Sequence, residues 1–185
     1  MPFKVPEPLL QQAGSAVLLA RVVLNFFEKP GSAEAVKKAR EEVKNRAAAV
    51  KAHNSPRRED WLAVSRGLSD LADEAGWAVD EAGRLAVEGG RFLTEMARGV
   101  VGAAEEIGAA LEALNRGSQT EPHLLKAKGR ALEVERLYRK ARADLLFDSE
   151  VVKGLKTGAI YRRFSQSAEA AQKAADRLGE LLAVI

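Results

Sequence analysis

Pro56-Arg57-Arg58-Glu59-Asp60-Trp61-Leu62-Ala63-Val64-Ser65-Arg66-Gly67-Leu68-Ser69-Asp70-Leu71-Ala72-Asp73-Glu74-Ala75 is the stretch whose periodicity decides the fold. Trp61, Val64, Leu68, Leu71, Ala75 and Val79 recur at intervals of three and four, so they share one stripe of an α-helix, and that stripe is a core face. Ser55 reads as the N-cap and Pro56 as the first helical residue, where its missing N–H costs nothing. Glu59 and Asp60 set negative charge against the positive helix end. A second copy lies near the C-terminus: Leu68 to Ala75 aligns without a gap on Phe164-Ser165-Gln166-Ser167-Ala168-Glu169-Ala170-Ala171, and Val64 falls on Ile160. The offset of 96 is close to half of the 185 residues. The expectation is one domain over 1–185 built by duplication, with pseudo-repeats of approximately 1–90 and 91–185.

Working outward, the first helix is expected after Pro2, Pro6 and Pro8 and runs to about Glu28, stopped by Lys29-Pro30-Gly31; Leu9, Ala13, Val17, Ala20, Leu24 and Phe27 form its seam. Few polar residues lie between Ala16 and Phe27, so this helix should be covered on more than one side. Ser32 caps a second helix, with Val36, Ala39, Val43, Ala47 and Val50 inward, which breaks at His53-Asn54-Ser55-Pro56. Gly89-Gly90 marks the junction between the halves. A fourth helix from Phe92 ends at Asn115-Arg116-Gly117, where glycine suits a left-handed C-cap. A fifth runs from about Glu121 to Phe147 and a sixth from Val152 to near the end, joined through Asp148-Ser149-Glu150. Six helices in two groups of three predict an all-α up-and-down bundle of two three-helix units, with a four-helix bundle carrying extensions as the structural alternative.

Composition narrows the function classes. Hydrophobic residues at 46% and charged residues at 30%, with 5% aromatics, describe helices with sorted faces rather than strands. With no cysteine there is no disulfide, thiolate metal site or cysteine nucleophile, as expected in a reducing cytoplasm. The 29 basic and 26 acidic residues are interleaved, which argues against a nucleic-acid surface and leaves at most a weak preference for anionic lipid. The most apolar run, Ala16 to Ala20, is interrupted by Arg21 and Asn25, so it reads as a core helix rather than a span or signal peptide.

Catalytic patterns are missing. His53 and His123 stand beside helix ends, and neither has a glutamate three residues before it, which excludes the Glu-x-x-His pairs of di-iron bundles. Gly89-Gly90 follows no strand and Gly99-Val100-Val101-Gly102 lies in a helix, so neither is a phosphate loop. What remains is an acidic group, Asp70, Asp73 and Glu74, matched in the second copy by Glu169, Asp176 and Glu180.

Arg57-Arg58-Glu59-Asp60 followed by Leu68-Ser69-Asp70-Leu71-Ala72-Asp73 resembles the PhoU-like phosphate-transport regulators, specifically the short cytoplasmic branch accessory to low-affinity inorganic phosphate permeases. Arg136-Leu137-Tyr138-Arg139-Lys140-Ala141, Leu146-Phe147 and Ile160-Tyr161 resemble that family's last two helices. The likeness covers most of the chain, and the order and spacing of short motifs carry it. It implies a PhoU-like bundle and a non-enzymatic cytoplasmic regulator or accessory of phosphate transport. The partner would be a phosphate permease or phosphate-sensing protein, with at most peripheral association at the inner face of the membrane, and the chain is expected to form homo-oligomers. Family members bind metal clusters through acidic pairs four residues apart. Here the pairs are eroded to Ser69 with Asp73 and Ser165 with Glu169, and helices two and five offer only Glu41 with Asn45 and Glu135 with Arg139. Since a hard cation needs several converging oxygens, the implied metal reduces to one divalent or iron-type ion near Asp70, Asp73 and Glu169. With those pairs weakened, the alternative is a self-assembling structural bundle that has lost the metal-binding and regulatory role.

Overall fold

The computed structural model describes residues 4–29, 31–147 and 150–183. They form α1 (Glu7–Glu28), α2 (Ala33–Ala52), α3 (Arg58–Leu85), α4 (Arg91–Asn115), α5 (Glu121–Leu145) and α6 (Val151–Ala183), with no strand among the described residues. Pro2 and Pro30, and Asp148 and Ser149 of the expected last turn, lie outside them. Connections of four or five residues leave each helix antiparallel to the one before it. The α1–α2, α3–α4 and α5–α6 connections therefore share one end of the bundle.

The apolar stripes decide which helices meet. α1 packs on both α3 and α4, α6 packs on the same two, and α3 and α4 lie diagonally opposite with little contact. α2 covers the α1–α3 side and α5 covers the α4–α6 side. The bundle is thus all-α with six helices, each half of the chain supplying a three-helix layer. α3 and α6 make the most extensive interface. There Ser167 Oγ donates to the Leu71 carbonyl at 2.9 Å, between residues 96 apart, the same offset as the sequence repeat. Gly67 lets the helices approach: a Cβ placed on it would stand 2.7 Å from Ala174 Cβ. Phe164, fully buried, meets the edge of Phe27 at 5.4 Å between centroids and ties α6 to α1.

Gln12 brings a polar side chain to the centre. Gln12 is fully buried on α1, and its Nε2 donates to the Ser65 carbonyl at 2.9 Å and to Ser69 Oγ at 3.0 Å while Oε1 accepts from Ser65 Oγ at 2.6 Å. Every polar group of that amide is used, so its burial is compensated. α1 itself is long and apolar enough, at 22 residues and a mean hydropathy of 1.3, to cross a membrane by length and composition. In the fold it packs against α2, α3 and α4, burying Leu9, Leu19, Val23 and Phe27.

The start of α3 differs from the sequence reading, while its end leaves Gly89-Gly90 in the connection to α4, where the junction is expected. α3 begins at Arg58, not at Pro56, and Ser55 caps nothing. Arg57 instead takes a left-handed conformation (φ 58°) and its carbonyl accepts the first helical bonds, from Asp60 and Trp61. Distant partners fix this turn: Arg57 Nη1 donates to the Leu181 carbonyl at 3.4 Å, and Arg58 Nη2 to the Lys51 carbonyl at 2.8 Å, satisfying the last turn of α2. At the other end α3 stops at Leu85, before Gly89-Gly90, through Ala86 at φ 52° and a bond from Val87 N–H to the Ala82 carbonyl. Gly117 (φ 69°) closes α4 in the same way, with Ser118 N–H bonded to the Ala113 carbonyl.

Candidate functional site

Asp70, Asp73 and Glu169 do line one groove between α3 and α6, with a volume of about 290 Å³. They do not converge as ligands, and no group of three or more histidine or acidic side chains among the described residues is arranged to hold a metal ion. Lysines occupy the neighbourhood instead. Lys173 Nζ meets Glu169 at 2.7 Å, and Lys44 Nζ on α2 stands 3.8 Å from Asp73. The Asp73 oxygen facing Lys44 is buried without a hydrogen bond, so only this long ion pair compensates it. Asp70 is exposed as a residue but lies beside Asp73. Partial burial first, then the Asp73 charge, raise its carboxyl above the ordinary 3.8, while Lys173 and Arg66 pull it down.

The substituted serines have structural employment. Ser69 donates to the Ser65 carbonyl at 3.0 Å and accepts from Gln12, so a carboxylate there would be forced against the buried amide. Ser165 donates to Glu135 on α5 at 2.7 Å. Among the further acids, Asp176 pairs with Lys128 at 2.6 Å and Glu180 with Arg177 at 2.7 Å. Glu74 belongs to a clasp that sequence reasoning passed over. Arg163 of α6 reaches Glu74 at 3.1 Å and Glu81 at 2.7 Å, and its guanidinium lies 5.2 Å from the centre of the Trp77 ring. Bonds to Glu81 foremost raise the Arg163 pKa further, and the clasp locks α3 to α6. His123, beside the start of α5, meets Glu106 at 2.7 Å.

A second region stands at the end shared by the three connections. Phe92 at the start of α4 meets Tyr161 edge-on at 6.2 Å, so α6, which begins ten residues before Tyr161, projects about 14 Å beyond α4. That projection leaves Leu146 (84% exposed), Phe147 (90%), Val151, Val152 and Leu155 in solvent. A groove of about 870 Å³ runs along α5 and α6 behind them, floored by Leu145 and Ala159 and rimmed by Arg139, Arg142 and Arg162. A further open hollow of about 980 Å³ lies between the α1–α2 and α3–α4 connections, with Phe26, Val87 and Gly89 in its lining. The sequence held a signal for this region. Between Arg136 and Arg162 there are seven basic and three acidic residues, a surplus of four where the whole chain has three. That local charge is diluted in the total, and Leu146, Phe147 and Val151-Val152 fall at an interhelical turn where periodicity assigns no face.

The chain matches no model of a known protein family and no characterised protein in sequence.

Proposed function

We propose that the protein is a non-enzymatic regulator or accessory of inorganic phosphate transport that works by docking one end of its bundle on a membrane partner, a phosphate permease or a phosphate sensor. The observation that carries the docking reading is the concentration of hollows and exposed apolar side chains at the end where the three connections meet. Isolated exposed leucines are ordinary, but a contiguous apolar set beside open grooves favours a binding surface. The resemblance of the Arg57–Asp73 and Arg136–Tyr161 segments to PhoU-like regulators supplies the phosphate part of the reading. Cytoplasmic residence, peripheral to the membrane's inner face, follows from the same likeness. Because Lys44 and Lys173 already bring positive charge to the acidic groove, the mechanism assigned here is surface complementarity with no metal step. Deleting the gene should alter phosphate uptake or phosphate-dependent signalling; unchanged uptake in both phosphate-rich and phosphate-poor medium refutes the proposal.

A second reading has its own observation. Leu125 (62% exposed) and Leu132 (47%) lie seven residues apart on the outer side of α5, a spacing that puts them on one exposed stripe. That stripe suits pairing with a second copy, as the self-assembling alternative requires. Sedimentation equilibrium of wild type and of Leu125→Glu/Leu132→Glu decides it: a monomer at every concentration removes this reading.

A further inference from the structure

We infer that the trough along the outer side of α6 receives an amphipathic helix of the membrane partner, one whose apolar stripe is flanked by carboxylates. The inference rests on the docking reading and names the kind of segment that reading requires. Shape comes first. α3 and α5 both pack on α6 but lie apart from each other, so they stand as two walls with α6 as the floor between them. Glu81 comes from the α3 wall, Tyr138 and Arg142 from the α5 wall, and Leu155, Ala159 and Gln166 from the floor. Leu155 to Gln166 is eleven residues of α6, about 16 Å, the length of three helical turns. The contact surface lies between Tyr138 and Ala143 on α5 and between Leu155 and Gln166 on α6, and stops short of the connection joining them.

Charge then selects the occupant. The described lining carries four guanidinium groups, Arg139, Arg142, Arg162 and Arg163, against the one carboxylate of Glu81. Arg163 takes up Glu81 at 2.7 Å, and Arg139 stands 3.7 Å from Glu135. Arg142 and Arg162 have no acidic partner among the described residues. Arg142 instead lies over the Tyr138 ring at 5.6 Å, and Asp144, two positions further along α5, is turned about 200° away from it. An occupant must therefore bring its own negative charge, and complementary charges of this kind choose among partners. Backbone chemistry makes that occupant a helix. α5 and α6 satisfy their own N–H and C=O groups, so an extended peptide finds no edge to pair with. A helix arrives with its backbone already bonded and offers side chains three and four residues apart to a groove. Leu155 and Ala159 then meet its apolar stripe, and Arg142 and Arg162 its carboxylates. A fatty acid would answer one guanidinium and leave the other, whereas a helix with several acids answers both.

The test uses the purified full chain and three fluorescein-labelled synthetic peptides of about 18 residues, or five helical turns, with no membrane or transporter present. The first has leucine and alanine on one face and glutamate beside it, the second has lysine for every glutamate, and the third keeps the acidic composition but carries two internal prolines that prevent the helix. Fluorescence polarisation should show saturable binding of the first, with the other two at least about tenfold weaker. Arg142→Glu/Arg162→Glu should weaken the first peptide by roughly tenfold or more, since two attractions become two repulsions. Ala159→Trp, which fills the floor without changing charge, should weaken it as well. Lys37→Glu/Lys38→Glu changes net charge equally on the exposed side of α2, away from α5 and α6, and should leave affinity within about twofold. Helical ellipticity verifies that each variant is folded. Absence of saturable binding, equal binding of the acidic and lysine peptides, equal binding of the proline-bearing peptide, or an affinity that both trough variants leave intact would overturn the inference. Any of these can occur while a transporter still co-purifies, so failure here is distinguishable from failure of the docking function.

Discussion

Replacing Gly67 by alanine puts one methyl group into the tightest part of the α3–α6 interface. The added Cβ would lie 2.7 Å from Ala174 Cβ and 3.1 Å from Ala174 Cα. Neither atom can rotate away, so the two helices must separate by several tenths of an ångström. They are held by the Arg163 clasp on one side and the Ser167–Leu71 bond in the middle. Overpacking of this kind costs about 1–3 kcal/mol, and the better helix propensity of alanine returns about 1 kcal/mol, so the net effect runs from about zero to a loss of about 2 kcal/mol. Gly14, in the exposed face of α1, is the matched control because nothing lies within 4 Å of its Cβ position. Gly14→Ala should gain about 1 kcal/mol, which separates the two chemically identical changes by about 1–3 kcal/mol, or roughly 2–12 °C in Tm for a chain of this size. Urea unfolding followed by helical ellipticity measures both. Equal stability of Gly67→Ala and Gly14→Ala would refute the close approach. Adding Ala174→Gly to Gly67→Ala should recover about 1 kcal/mol more than Ala174→Gly yields alone.

Three further outcomes follow from the geometry. Ala86→Gly should raise stability by about 0.5–1 kcal/mol in urea melts, because φ 52° strains an L-residue and leaves glycine unstrained. Arg163→Ala leaves Glu74 and Glu81, each under one-fifth exposed, without their cation; it should cost about 2 kcal/mol and shift Trp77 emission, with Arg163→Lys recovering less than half. Asp70 holds its proton more tightly folded than unfolded, so its contribution is fully present below 3.8 and is lost as pH rises through the raised folded value. Asp70→Asn should therefore stabilise at about pH 7, with the advantage over wild type vanishing near about pH 3.5; a difference independent of pH would contradict this sign.

Periodicity made the helices legible because a core stripe is a collective property of many residues. Trp61, Val64, Leu68 and Leu71 are all buried on α3 as their spacing requires, and Ser32 caps α2 by accepting from Ala35 N–H. Local cap signals failed where distant groups compete. Ser55-Pro56 is a good helix start in isolation, yet Arg57 and Arg58 answer the carbonyl ends of α6 and α2, and the helix starts after them. Ala86 shows the converse, a helix closed by a residue with no intrinsic preference for that conformation. Of the candidate site, the grouping of Asp70, Asp73 and Glu169 in one groove was readable from helical spacing and the repeat. The cations that meet them were not, since Lys44 arrives from α2 and its approach depends on tertiary packing. The exposed end of α5 and α6 escaped for a related reason: what exposes Phe147 and Leu155 is the projection of α6 beyond α4, a length mismatch between helices that no single helix reveals.

Affinity purification of the tagged protein from gently solubilised membranes, with mass spectrometry of what accompanies it, tests the central claim most directly. Lys29→Glu/Glu88→Lys, two exposed charge reversals at the hollow between the connections, serves as the paired variant. The account predicts enrichment of a phosphate permease or phosphate-sensing protein with the wild type and its loss with the variant. Recovery of the protein alone, or of the same partner with both, would contradict docking through this end of the bundle.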